Sequence, residues 1–348
     1  MTIGFTSSVA DFDQKQFDGL DVTAGIASSY DRLRQRERDA RWSVRYVGWT
    51  EDDLLKAAIP VYQCRTQVWP DEAYDPRTWN LPDNAGDEGS PASSLLVGGC
   101  SERRSGLHVD TQAGSPDHLR SVLVEVAGIA ADENRCLVFP FHYTDARNAL
   151  AAATDDRIVW TQLSREARLV GLSDAQWESK LPAKVRYELR RDRRRIEAFP
   201  MKIEETTWGE VQSWAADLIA AHNIRLGMHD GPDFVRFRHA EWQRNHAVEV
   251  KAFTAEVGEL RGVLMCFVWG NEIEAYEIGI SGEQSFERHA LYINLLFHAP
   301  LEYARSRGLD QFRLGTKAET PKASRGAVFA DLHGGVLSIA ETRRLAGR

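Results

Sequence analysis

The sequence is poor in the residues that would place it outside the cell or around a metal. Its 348 residues include four cysteines, Cys64, Cys100, Cys136 and Cys266, widely separated and with no CxxC pair or Cys/His cluster of zinc-ligand spacing. They read as reduced thiols in a reducing compartment, and no metal or other cofactor is expected. Long hydrophobic runs are also missing: the longest, 263–269, is far too short to cross a bilayer. Residues 1–13 carry no basic region followed by an apolar one, so a cytoplasmic location is expected. Low-complexity tracts and exact repeats are absent, and a net charge of −8 argues against a surface that coats nucleic acid indiscriminately. What the chain does have is 43% apolar and 9% aromatic residues, enough for two domains, each with its own core.

Hydrophobic periodicity gives a mixed α/β reading. Residues 28–40 have helical spacing, 44–49 and 59–62 are strand-like with a polar turn at 50–53, and 70–94 is a proline-bearing excursion. A helix follows over 116–131, with Ser115 as its N-cap and Pro116 in its first turn, and a buried strand over 136–141. In the second half, a helix over 182–198 stops at Pro200, and helices follow over 211–222 and 232–245. A hairpin of strands 248–256 and 262–269 comes next, then a strand over 272–280, a helix over 289–307 and a strand over 311–314. The two halves, 1–175 and 176–348, have similar length and similar strand–helix order, which points to duplication.

Two segments carry a resemblance. The basic run 181–195, LPAKVRYELRRDRRR, looks like the basic helix of Fem-type aminoacyltransferases and their peptidoglycan-biosynthesis and BioF2-like relatives. The stretch from Ala290 through Tyr292, Leu295 and Tyr303 to Gly315, followed by Lys322 and Arg325-Gly326, is similar to the C-terminal segment of the same group. The strand order after residue 248 resembles the core of GNAT acyltransferases. This resemblance implies two tandem GNAT-like domains, 1–175 and 176–348, each a mixed sheet flanked by helices, and an amide-forming transferase acting by direct attack. The donor it implies is aminoacyl-tRNA and the acceptor a small amine or peptide; no DNA partner and no membrane span are expected. A cell-wall substrate is not specifically implied, because the long helical arm of some cell-wall Fem enzymes is missing.

The chemistry-bearing residues follow from charge and pattern. Lys184, Arg190, Arg191 and Arg194 belong to a cation cluster on an otherwise acidic protein, which suits the phosphates of a donor; Lys317 adds to it from a later turn. The alternative for this helix is a solvated face laced with Glu188 and Asp192 pairs. GNAT enzymes that use CoA usually hold its pyrophosphate in a glycine-rich turn, whereas 281–290 has one glycine and carries Glu283 and Glu287. That weighs toward aminoacyl-tRNA, with acyl-CoA as the alternative donor and a non-catalytic RNA- or partner-binding module as a third reading. Strict alternation along 272–280 would put Ala275, Glu277 and Gly279 on one side and Glu274, Tyr276 and Ile278 on the other. Glu277 is then the candidate general base or amine-binding carboxylate, with Tyr276 beside it, unless the acids are structural pairs at a sheet margin. Lys322 and Arg325 lie in a segment without periodicity; the resemblance makes it a loop closing over the reaction centre, where cations stabilise an oxyanion.

Overall fold

The computed structural model describes residues 2–348 apart from 21–23, 83–84, 111–115, 229 and 245–247. The expected N-cap Ser115 and the end of the helix expected to reach residue 245 lie outside the described residues. Contacts divide the chain into two units, Met1–Arg165 with Asp331–Arg348, and Glu166–Ala330. Sequence reasoning placed the division at 175 and left the C-terminus in the second half. The difference arises at two strands that each run through a boundary, because a strand's own pattern does not say which sheet it will join.

The first unit runs β1 (Thr2–Thr6), α1 (Gln14–Asp18), α2 (Tyr30–Arg36), β2 (Trp42–Glu51), β3 (Leu54–Cys64), β4 (Ser94–Val97), β5 (His108–Val109), α3 (Pro116–Asp132), β6 (Cys136–Tyr143) and α4 (Thr144–Ala153). Strand β7 (Val159–Val170) begins here and ends in the second unit. Antiparallel pairing joins β1 to β2, β2 to β3 and β3 to β4; β4 is parallel to β6. Helix α3 makes the parallel crossover. Its Leu119, Val122, Leu123, Val126 and Ala130 recur at helical spacing, and all are at most 4% exposed against Val47, Ile59, Leu95 and Phe139. Each such Leu or Val side chain contributes roughly 1.5–3 kcal/mol.

The second unit continues with α5 (Trp177–Lys180), α6 (Ala183–Glu197), β8 (Lys202–Thr206), α7 (Trp208–Arg225), α8 (Pro232–Gln243), β9 (Glu249–Val257), β10 (Leu260–Trp269) and β11 (Glu272–Ile280). After these come α9 (Phe286–Ile293), a π-helical segment (Asn294–His298), α10 (Ala299–Ser306), β12 (Gln311–Gly315), α11 (Glu319–Ala323) and β13 (Val328–Leu337). The single helix expected over 289–307 is thus interrupted. Pro300, at the start of α10, cannot donate a backbone hydrogen bond to the preceding turn, and the helix widens there. Strands β8, β9, β10 and β11 form an antiparallel series, β11 is parallel to β12, and β12 is antiparallel to the end of β7. In the first unit the corresponding sixth place, beside β6, is taken by Leu332–Leu337 of β13, and α12 (Ile339–Leu345) completes that unit.

From β1 and from β8 onward each half therefore follows the order β-α-α-β-β-β-α-β-α-β, with β5 extra in the first, and α5 and α6 preceding and α9–α10 counted as one helix in the second. In the second unit, α6 and α9 pack with Phe253, Leu264, Ile273 and Phe312 on one face of the sheet. Helices α7 and α8 cover Ala252, Val263 and Met265 on the other.

Candidate active site

The parallel pair is where the two units differ. In the second, β11 and β12 pair only at Glu272–Glu274 with Gln311–Arg313 and then part. Residues 275–278 of β11 are half-buried although the strand lies inside the sheet. The first unit pairs β4 and β6 over an equally short stretch, but every residue of both strands is buried. Its fork is filled by the chain itself. Ser105 donates its N–H to Phe141 O at 3.1 Å, its hydroxyl to Pro140 O, and His142 Nε2 lies 3.0 Å from Val97 O. A Cβ on Gly98 would stand 2.6 Å from the His142 ring, so the packing leaves no slot. The open fork belongs to the second unit.

A β-bulge decides what faces that fork. The β10–β11 register shifts between Met265 and Cys266, which pair with Glu277 and Ala275 and leave Tyr276 as the extra residue. Strict alternation fails here: Ile273, Ala275, Ile278 and Ile280 pack on the α9 face, while Tyr276 and Glu277 point together toward α7 and α8. Tyr276 meets the rings of His239 and Trp242 edge-on at 5.9 and 5.7 Å. Glu277 accepts hydrogen bonds from Asn223 Nδ2 (3.1 Å), Arg238 Nη2 (2.5 Å) and His239 Nε2 (2.7 Å). Burial opposes its charge, but the His239 and Arg238 contacts outweigh burial and hold the carboxyl down at about 2. A carboxylate so held is ionised at all working pH and accepts protons weakly, so its surroundings fit binding and orientation better than general-base chemistry.

Below the fork lies a buried ionic band. Arg313 on β12 donates to Glu272 Oε2 (2.8 Å) and Glu166 Oε2 (3.0 Å), and Arg168 also pairs with Glu166. Lys322 is within the electrostatic reach of Glu166. The segment carrying Lys322, which the resemblance makes a loop, is α11 and a following turn, with Lys322 and Arg325 only 5% and 6% exposed. Lys322 Nζ donates to Gly315 O at 3.1 Å, at the end of β12. Burial pushes its ammonium down to about 8, with Glu166 and Glu319 opposing.

Arg325 is clamped from several sides. Its Nε donates to Asp192 Oδ2 (2.7 Å), its Nη1 to Pro321 O (2.7 Å), and its guanidinium lies 5.0 Å from the Phe297 ring centroid. Asp192 stands on α6, fully buried. Gly326, at φ 91°, brings the turn so close to α6 that a Cβ there would lie 3.2 Å from Leu181 and 3.3 Å from Val185. The inner face of the basic helix and the Lys322–Arg325 turn are thus one packed assembly. On the outer side Lys184, Arg190 and Arg194 are exposed and enter no ion pair among the described residues, while Arg191 pairs with Glu188 at 2.5 Å. Lys317 is exposed as well.

The structure thus joins Tyr276 with Glu277, and Lys322 with Arg325; among the described residues no hydrogen bond or ion pair links the two groups. Asn223, Arg238, His239, Arg313 and Glu166 escaped the sequence reading, and Asp192 entered it only as a pairing acid on a solvated helix face. Two had a signal. Asp192 sits on the apolar stripe Val185, Leu189, Ile196, and His239 on the stripe Val235, Trp242, where an ionisable residue must find a buried partner. Among the described residues no group of His, Cys, Asp and Glu is arranged to hold a metal, and no helix is long and apolar enough to cross a membrane.

No family model matches the chain, and no curated protein matches its sequence. Solved structures do resemble it. FemX is 11% identical with a TM-score of 0.65, all of both chains being covered. The C-terminal domain of an Agrobacterium fabrum protein assigned as a lysylphosphatidylglycerol synthetase is 11% identical, with a TM-score of 0.55 over 98% of this chain and 96% of that one. A tandem GNAT protein from the clavulanic acid biosynthesis pathway is 11% identical, with a TM-score of 0.53 over 97% of this chain and 99% of that one. The likeness fixes the fold: two tandem GNAT-like units, each a mixed sheet flanked by helices.

Proposed function

We propose that this protein is an amide-forming N-acyltransferase whose chemistry resides in the second unit, with aminoacyl-tRNA as donor and a small amine or peptide as acceptor. The observation that carries this reading is the open β11–β12 fork, with the buried Lys322 ammonium at the end of one strand and the Tyr276–Glu277 pair on the other. The names of the similar structures point the same way: FemX, a lysylphosphatidylglycerol synthetase and a tandem GNAT protein.

In this reading the acceptor nitrogen attacks the ester carbonyl of the donor directly. A C–N bond forms, the C–O bond to the ribose breaks, and the proton leaves the nitrogen for the departing ribose oxygen, so no enzyme-bound acyl group is needed. Lys322, as ammonium, stabilises the oxyanion that develops on the carbonyl. Arg325 holds the Lys322 turn against α6, and Glu277, fixed by Arg238 and His239, orients the incoming amine. Lys184, Arg190, Arg191, Arg194 and Lys317 supply the electrostatic surface for the donor's phosphates.

Acyl-CoA is the competing donor. The turn after β11 favours aminoacyl-tRNA, since it has one glycine and an exposed Glu283 where a pyrophosphate would need backbone donors and no anion. Purified protein incubated with charged tRNA or acyl-CoA and a panel of amines, with products read by mass, tests the assignment. New amides from the tRNA arm alone support it; amides from the CoA arm alone transfer the same site to the other donor class.

A further inference from the structure

Exposed large apolar side chains recur at the end of α7, on α8, which packs beside it, and at the start of α9. Ile224 (58% exposed), Leu226 and Met228 end α7 and begin the following turn; Phe234 and Phe237 (60%) stand on the first turns of α8; Phe286 (86%) opens α9. These account for half of the exposed large hydrophobics among the described residues. Apolar groups gathered in this way on a soluble surface mark a place where something apolar binds.

The rim is continuous with the fork. Arg238 lies 5.1 Å over the Phe234 ring and at the same time binds Glu277, and Asn223, next to Ile224, binds Glu277 from the other helix. Asp217 lies two turns before Ile224 on α7 and receives Arg236 of α8 at 3.3 Å, which sets the two helices side by side along this stretch. His222 is depressed by burial and by the Arg225 and Arg288 cations, with Glu277 opposing, so α7's end, α9's start and the fork share one electrostatic neighbourhood.

The occupant follows from which face of the sheet each group takes. Basic helix α6 and Arg325 pack on the α9 face, where the donor's phosphates would be met, whereas Tyr276 and Glu277 lie on the other face, beneath α7 and α8 and inside the rim. A molecule reaching the fork from this second side is the acceptor, and the surface it crosses is apolar. We infer that the acceptor is an amine carried on an apolar body, a hydrocarbon or aromatic portion of several carbons that lies on the rim of Ile224, Leu226, Met228, Phe234 and Phe237 while its nitrogen enters the fork. This rests on the acyltransferase reading above for the role of acceptor, but the binding of such an amine does not.

The test uses the full chain and straight-chain amines from butylamine to octylamine, measured two ways: KM in the transfer assay, and Kd by calorimetric titration without donor. Each added methylene should lower both constants by about two- to threefold, somewhat less than full burial would give. In the Ile224→Ser/Phe237→Ser variant, with melting temperature confirming the fold, that dependence should flatten. A flat response in the native protein, or a slope that survives in the variant, overturns the inference. A flat response together with variant-sensitive self-association, or variant-sensitive binding to phosphatidylcholine vesicles, assigns the rim to a second copy or a bilayer and overturns it equally. If no donor supports transfer while the Kd slope is present and lost in the variant, the acyltransferase reading falls and the apolar-amine site stands.

Discussion

Arg325 and Asp192 form a buried ion pair, Nε to Oδ2 at 2.7 Å, that joins the turn carrying Lys322 to the inner face of a helix whose outer face carries Lys184, Arg190, Arg194 and Arg195. Asp192 Oδ1 is buried without a hydrogen bond, with Arg195 Nη1 4.0 Å from it, and His298 Nε2 stands 4.0 Å from Oδ2, so Arg325 is the principal partner. Burial raises the Asp192 pKa, and the His298 and Arg325 contacts more than reverse this.

Breaking this pair should be costly and replacing it should not. Asp192→Asn leaves the Arg325 charge buried without its counter-charge and is expected to destabilise the fold by about 3 kcal/mol, whereas Asp192→Leu with Arg325→Met should recover most of that loss. Denaturant unfolding of the three proteins measures it. Equal losses for the single and the double variant would show that the pair carries no mutual energy.

Glu277 predicts a pH signature in stability. Its carboxyl titrates at about 2 in the folded chain against an ordinary 4.5, so its contribution is complete above about pH 4.5 and is lost as pH falls toward 2. Glu277→Gln should therefore cost ~2–3 kcal/mol at pH 7 and progressively less at lower pH. Thermal unfolding of both proteins between pH 3 and 7 provides the check; a pH-independent difference contradicts the buried network. Because this carboxylate stays ionised, turnover in Glu277→Gln should fall without removing any acidic limb of the rate profile.

Lys322 predicts a signature in rate. As ammonium it aids an oxyanion, and with its pKa pushed down to about 8 that aid should fade as pH rises through 8. Lys322→Ala should lower turnover by roughly 10²-fold. Lys322→Arg, which stays charged, should keep more activity and lose the alkaline limb. An unchanged limb in the Arg variant would mean that another group titrates there.

The outer cations of α6 predict a salt effect. Reversing Arg190, Arg191 and Arg194 together to Glu should raise the donor constant and flatten its dependence on salt, with little change in melting temperature because these side chains are exposed or only surface-paired. Lost stability with unchanged donor affinity would make the helix structural.

How far the sequence carried this account depended on whether a feature was local. Helices α3 and α6, the β9–β10 hairpin and β11 announce themselves by period, cap and turn, and their ranges in the structure follow closely. Strand β7 was missed because its burial alternates poorly, and the exchange of β7 and β13 between units is a long-range pairing that leaves no local mark. At the site, the bulge at Tyr276 overturned alternation through a single extra residue that nothing in β11's composition reveals. The burial of Lys322 was hidden for a related reason: its neighbours Gly315 and Glu166 come from separate strands.

The central claim is that the fork of the second unit makes an amide from an activated ester. The most direct measurement is a single-turnover reaction of aminoacyl-tRNA with a ¹⁵N-labelled amine, followed by mass analysis of the native protein and of Lys322→Ala. The account predicts a labelled aminoacyl amide with the native protein, formed roughly 10²-fold more slowly by the variant. Release of the amino acid only as the free acid, or labelled amide at the same rate from both proteins, would contradict it.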